Sequence, residues 1–181
     1  MNIYLKIFLI TGIALTVFMG IFYAVEFGIV PGVVGGTIAG VLYGTFMSLI
    51  LGSWHRWSVK RITSDRSEAA MKVRHLRNIE LKLPYDRAFT LCIRSLDLIK
   101  KCQIKQQDRS QGKIVARTSM TWNTFGNVIL FKVLSINEEQ SRVEILSKPW
   151  VPTTLIDFGE NLQNIATIAD FIEKKSASVA E

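Results

Sequence analysis

Apolar positions fall into two long uncharged runs, followed by a region in which they alternate with polar residues. The runs cover residues 7–25 and 27–54, and Glu26 separates them. Nineteen residues of α-helix rise about 28 Å, close to the thickness of a bilayer's hydrocarbon core. We therefore predict two membrane-spanning helices within residues 1–54, a transmembrane hairpin.

A cleavable signal peptide is the alternative interpretation of the first run. Such a peptide has a more basic start, a shorter apolar core and a small-residue cleavage pattern. Here only Lys6 precedes the run, and Tyr23 and Glu26 stand at its exit. The retained span is the favoured interpretation.

Small residues recur at every fourth position of both runs. Interior glycines cost a water-exposed helix about 1 kcal/mol each relative to alanine, whereas in lipid they allow two helix backbones to approach closely. The connection, roughly residues 25–31, is short and makes the helices antiparallel neighbours. The predicted helix-packing residues, a glycine zipper, are Gly12, Thr16, Gly20, Gly32, Gly36, Gly40, Gly44, Ser48 and Gly52.

The spacing of this stripe also predicts a further contact. Four residues advance about 400° around an α-helix, so each step of the stripe drifts by about 40°. From Gly32 to Gly52 the drift reaches about 200°, more than one straight partner helix can follow. We expect the first span to use one portion and another subunit, of the same or a different chain, to use the rest.

Net charge is unevenly distributed. The formal charge is +7, and residues 55–77 hold seven basic residues against Asp65 and Glu68. Residues 78–181 hold fourteen basic and twelve acidic residues, which argues against a nucleic-acid-binding domain. The basic flank predicts contact with anionic lipid head groups. The head-group residues are Arg56, Lys60, Arg61 and Arg66.

The same flank predicts the topology. Cytoplasmic flanks of membrane helices carry the excess of Lys and Arg, and the short 25–31 loop has neither. Trp54 and Trp57 are typical of the membrane interface. We predict a multi-pass integral membrane protein with both termini and the soluble part in the cytoplasm.

Residues 55–77 form the predicted juxtamembrane linker, helical for much of its length. The sequence from Asp65 to Glu68 has the form of a capping box that restarts a helix. The segment is either a solvated linker helix or a strip that lies against lipid or a partner.

Residues 78–175 have the pattern of a small α+β domain, followed by a tail at 176–181. The predicted order is strand, helix, four strands, helix, and hairpin-like spacing indicates an antiparallel sheet. Cys92 and Cys102 are expected to be reduced, apolar residues. The predicted strands are 79–83, 102–106, 113–121, 128–136 and 141–148, and the predicted helices are 84–101 and 157–174.

Motifs for chemistry are scarce. His55 and His75 are far from the cysteines in sequence, so the chain has no zinc-binding spacing, and no metal is predicted. Asp157-Phe158-Gly159 matches a kinase triplet, but the other kinase motifs are missing. No phosphate-binding glycine loop occurs. We therefore expect no cofactor and no enzyme activity.

Two groups in the soluble part remain open to function. Asp157, Glu160, Asn161 and Asn164 form the densest polar cluster. Their spacing favours a helix start, with Asp157 and Glu160 bonded to backbone N–H groups, over a cation or polar-ligand site. The second group consists of aromatic residues in predicted loops, a partner-binding rim or the edge of the core: Trp122, Phe125 and Trp150.

These patterns lead to one expected function and one alternative. The expected function is a membrane-anchored cytoplasmic interaction domain, a structural or accessory subunit of a membrane protein assembly. The alternative is a homo-oligomeric small channel or transport component built on the glycine-striped second span. Membrane lipids and other membrane protein subunits are the expected partners.

Overall fold

The structure is a computed structural model that describes residues 2–65, 67, 69–121 and 124–178. The chain divides into two compact units, one before and one after the boundary between Met71 and Lys72. Each unit has its own packing.

The first unit is a helical hairpin of α1 (Ile3–Phe27) and α2 (Ile29–Ile62). Gly28 alone connects them, with a φ of 97° that side-chain-bearing residues rarely adopt. Both helices are long and apolar enough to cross a membrane. Since only 11% and 22% of their most apolar windows are buried, most apolar side chains point outward.

The second helix is longer than the uncharged run. It continues through the basic segment to Ile62, where Lys60 and Arg61 lie in its last turn. Positive charge in this place is favourable because it lies against the negative end of the helix dipole.

The predicted helix restart at Asp65 is wrong. Its carboxylate accepts hydrogen bonds from the Ser67 N–H at 2.8 Å and the Ser67 hydroxyl at 2.9 Å. These bonds close a local turn between Asp65 and Ser67, and such side-chain to backbone turns compete with helix formation. They also lower the pKa of Asp65. A strand begins at His75 instead; Arg66 and Glu68 lie outside the described residues.

The second unit is an α+β domain with a five-stranded antiparallel sheet, which confirms the predicted class of its fold. The helix after the first strand ends at Ser95, well before residue 101, and is followed by a 3₁₀ turn, Leu96–Leu98. The elements are β1 (His75–Leu81), α3 (Tyr85–Ser95), β2 (Cys102–Asp108), β3 (Lys113–Thr118), β4 (Asn127–Ser135), β5 (Ser141–Pro149) and α4 (Glu160–Ala177).

The strands lie in the order β1-β5-β4-β3-β2. Consecutive hairpins place β2 to β5 side by side, whereas β1 pairs with the last strand, with Ile79 opposite Val143. Helix α3 therefore connects the two edges of the sheet. Helices α3 and α4 share one core with the sheet, and Phe89, Phe131 and Ile168 are fully buried in it.

Alternation along the strands decides which side chains enter that core. Along β3, Ile114 and Ala116 are buried. The alternate residues, Val115 and Arg117, are only half-buried. The same period places Val143 and Ile145 inside. The inward face is apolar through the middle of the sheet and becomes polar at Ser147.

Cys92 lies in this core, and burial raises the pKa of its thiol from an ordinary value of 9.0 to about 12. The thiol of the unfolded chain ionises at a lower pH than the buried thiol of the folded chain. Ionisation therefore favours the unfolded state and lowers the stability of the fold as the pH rises. Below pH 9 this group leaves stability unchanged, and between pH 9 and 12 it lowers stability as the pH rises. Urea unfolding at several pH values measures this slope.

The Cys92→Ala variant is the matching test. It is expected to be less stable than the parent at pH 8, because it leaves a small cavity, and to have a flatter decline of stability above pH 9. An equally steep decline in both proteins would contradict the assignment to Cys92. Leu98→Ala, a change at an exposed site, serves as the control.

Candidate functional site

The face between α1 and α2 is the first candidate site, and backbone atoms make much of its contact. A Cβ atom at Gly36 would lie 2.6–2.7 Å from backbone atoms of Gly20 and Thr16. At Gly44 it would lie 2.9 Å from the carbonyl oxygen of Phe8. Such distances leave no room for a side chain unless the helices move apart.

The stripe continues to the end of the hairpin. The hydroxyl of Ser48 donates to the carbonyl of Tyr4 at 2.8 Å, and Gly52 lies against the ring of Tyr4. Gly32 faces Gly20 and Ala24 at the other end. All stripe residues of α2 are buried. The buried set is Gly32, Gly36, Gly40, Gly44, Ser48 and Gly52.

The expectation that α1 can use only part of this stripe is therefore wrong. Gly12, Thr16 and Gly20 of α1 repeat at the same four-residue spacing, so the contact lines on both helices drift in the same sense. Two helices with matching drift stay in contact by winding around each other. The stripe is occupied within the hairpin and offers no remaining surface to another subunit.

The end of α2 carries the aromatic and basic residues expected at an interface. Trp54 and Trp57 are half exposed, and the Arg61 guanidinium lies 3.4 Å from the centroid of the Trp57 ring. Arg56 and Lys60 are exposed on the same helix. Arg66 lies outside the described residues.

The polar cluster of the second unit is a buried hydrogen-bond network where α4 meets the sheet. Asn161 is its centre. Its amide group donates to Asn127 at 2.9 Å and to Asp157 at 2.8 Å, and its carbonyl accepts from Ser147 at 2.7 Å. Asn164 lies 3.5 Å from the Ser147 hydroxyl. The network joins β4, β5 and α4 in a region that excludes water.

The two carboxylates of the cluster have different roles. Asp157 accepts from the N–H groups of Gly159 at 3.1 Å and Asn161 at 3.0 Å, at the positive end of the α4 dipole. Glu160 does not close a capping box, and that expectation is wrong. It accepts instead from the Thr124 hydroxyl and from Asn127 at 3.0 Å, because its side chain points to the sheet.

The network uses its polar groups internally. Asp157 receives three hydrogen bonds and Asn161 exchanges bonds with three side chains. Within the described residues no three His, Cys, Asp or Glu side chains group as metal ligands would. This arrangement fixes the first turn of α4 against the ends of β4 and β5.

Aromatic loops form the second feature of this end of the sheet. The Trp150 N–H donates to the Gly126 carbonyl at 3.0 Å, which brings Phe125 and Trp150 into neighbouring loops. Met120, Phe125 and Trp150 are 66%, 64% and 50% exposed, and we call these three residues the apolar rim. Trp122 lies outside the described residues.

Sequence reasoning missed several members of both features. Ser147 occupies an inward position of β5 after Val143 and Ile145, and a polar residue there is a usable signal of a buried network. Asn127 at the start of an apolar strand is a weaker one. Arg117, 3.2 Å from the centroid of the Trp150 ring, gives no signal because the contact depends on strand register.

No known protein family matches this chain by sequence, and no curated protein does so either. Several solved structures are similar to part of it. They include the Zhui aromatase/cyclase from Streptomyces sp. R1128, at 9% identity and a TM-score of 0.44, over 60% of this chain and 95% of that one.

Two further similar structures have other descriptions. The di-domain aromatase/cyclase BexL of the BE-7585A biosynthetic pathway has 11% identity and a TM-score of 0.35, over 58% of this chain and 43% of that one. A START superfamily protein from Mycobacterium smegmatis has 8% identity and a TM-score of 0.38, over 59% and 98%.

These similarities require one correction. The prediction that the chain is not an enzyme is contradicted, because two of the similar structures are aromatase/cyclases. We withdraw that prediction. Sequence motifs could not support it, since catalytic residues of an unfamiliar site need not follow a recognisable spacing.

The hairpin contact predicts a strong effect at Gly36. Gly36→Leu is expected to force α1 and α2 apart, because backbone atoms of Gly20 and Thr16 occupy the space its side chain would need. Cross-linking Leu5→Cys to Leu49→Cys, which line one groove of the hairpin, measures the packing. Val41→Leu on the exposed face is the control. Equal cross-linking yields in both variants would contradict the prediction.

The buried network predicts a stability loss at Asn161. Asn161→Leu removes the hydrogen bonds that Asn161 makes to the side chains of Asn127, Ser147 and Asp157, and leaves those buried polar groups unsatisfied. We expect it to lower the free energy of unfolding by at least about 2 kcal/mol. Urea unfolding monitored by circular dichroism checks the value. Gln163→Leu, an exposed neighbour on the same helix, is expected to change it little. Similar losses in both variants would show that the network contributes nothing specific.

Proposed function

We propose that this chain is a membrane-anchored subunit in which the α1–α2 hairpin crosses a bilayer twice and holds the α+β domain at its cytoplasmic face. The outward surface of the hairpin carries the argument. Val25 and Ile29 are 78% and 77% exposed, and Phe18 is 67% exposed. An apolar surface of this extent is unfavourable in water and is typical of contact with lipid.

The hairpin supports this role in a second way. Its helices pack through backbone contacts that need no other chain, so it can serve as a self-contained anchor. The alternative of a small channel depended on a stripe left open for other copies. That surface is used within the hairpin, and no other observation favours the channel.

The charge distribution supports the proposed orientation. Arg56, Lys60 and Arg61 follow the interfacial tryptophans, whereas the Gly28 turn has only Glu26 beside it. Basic flanks remain on the cytoplasmic side during insertion. The turn then faces the opposite compartment, and the α+β domain lies in the cytoplasm.

The α+β domain supplies the surface for partners in this proposal. Its apolar rim is exposed at the end of a rigid sheet, and α4 is fixed against that end by the buried network. Contact residues of binding surfaces are effective when a rigid scaffold positions them. Such a domain suits an accessory subunit that is held beside other membrane components.

Membrane extraction and thiol mapping test the proposal. We expect the full chain to float with membranes at alkaline pH. In a Cys102→Ser background, we also expect an impermeant maleimide to label Glu26→Cys on intact cells, and Ser178→Cys only after permeabilisation. Recovery in the soluble fraction, or labelling in the reverse order, would contradict it. Mild-detergent mass measurement should then show a complex larger than the single chain; a lone monomer contradicts the accessory role.

A further inference from the structure

The apolar rim lies where four segments of the second unit converge. The Ser119 N–H donates to the Lys101 carbonyl at 3.1 Å, and the Trp150 N–H donates to the Gly126 carbonyl at 3.0 Å. These bonds bring together the start of β2, the end of β3, the start of β4 and the end of β5. Met120, Phe125 and Trp150 project from these connections and are largely exposed.

Basic side chains accompany the rim. Arg117 stacks on Trp150 with 3.2 Å between the guanidinium carbon and the ring centroid. Val128 of β4 is paired with Arg117 of β3 on one side and with Lys148 of β5 on the other. Residues directly opposite each other point to the same face of a sheet, so Lys148 and Arg117 share a face. Lys101 adds a third cation at the edge of the group.

Acidic groups on the adjoining elements do little to offset these cations. The carboxylate of Asp157 is buried in the network, and that of Glu160 accepts from Thr124 and Asn127. Asp97, on the 3₁₀ turn ahead of Lys101, is exposed and offsets one positive charge. The surface is therefore apolar at its tip and positive around it.

We propose that the apolar rim docks into the head-group region of an anionic bilayer, with Arg117, Lys148 and Lys101 against the lipid phosphates. The inference rests on the proposed function, which supplies the bilayer. Tryptophan and arginine are favoured at such interfaces, and each basic residue near an anionic surface contributes attraction. A tether to the same bilayer makes docking intramolecular, so a few weak contacts suffice.

A fluorescent label on the rim tests this docking in the full chain. We would label Met120→Cys in a Cys102→Ser background; Cys92 is fully buried and does not compete for the label. The protein is reconstituted into phosphatidylcholine vesicles with or without about one-third phosphatidylglycerol. Lipids that carry a nitroxide near the head group then quench any label that reaches the interface.

We expect strong quenching at position 120 in the anionic vesicles and little in the neutral ones. Glu138→Cys, in the β4–β5 turn at the opposite end of the sheet, is the matched control and is expected to stay unquenched. Lys148→Gln should lower the ratio of docked to undocked protein about fivefold, the factor expected for one basic residue near an anionic surface. Phe125→Ala should lower it as well.

Other results would overturn the proposal. Equal quenching at positions 120 and 138, or equal quenching in both kinds of vesicle, excludes specific docking to anionic lipid. If the label at position 120 is shielded from solvent in native membranes but not in vesicles, the occupant of the rim is a protein. Vesicles that float with the chain while position 120 stays unquenched overturn rim docking alone, whereas failure to float overturns the anchor and the docking together.

Discussion

Direct contact between the backbones of α1 and α2 is the constraint on which the first unit depends. Glycine at Gly36 and Gly44 removes the side chains that would otherwise separate the helices. Apolar side chains are then free to cover the outside of the hairpin, where lipid can solvate them. A hairpin packed in this way inverts the usual arrangement of a water-soluble pair of helices, whose large apolar side chains meet in the middle.

The second unit depends on a buried hydrogen-bond network at the end of the sheet that carries the apolar rim. Apolar packing fills the middle of the sheet, but the inward face ends in Ser147 and Asn127. These groups need hydrogen-bond partners, and Asn161 supplies them from α4. The helix is therefore placed by directional bonds at its start and by apolar contacts along its length, so its register against the sheet is specified twice.

The sequence was sufficient for features that depend on local periodicity. The small-residue contact of the hairpin and the strands and helices of the second unit follow from spacing, and the class of that unit's fold follows from their order. Features that depend on distant partners were missed or misjudged. Glu160 bonds to Thr124 and Asn127 rather than to its own helix. The stripe of α2 contacts α1 along its whole length rather than along one portion. The Asp65 turn shows that a capping pattern can equally close a loop.

The length of α2 has a mechanical consequence. Its 34 residues rise about 51 Å, well beyond a hydrocarbon core of about 30 Å. In the proposed topology the last turns leave the bilayer as an uninterrupted rod. A rotation of α2 inside the membrane would reach its cytoplasmic end as a rotation of the same angle, since no flexible joint intervenes before Ile62.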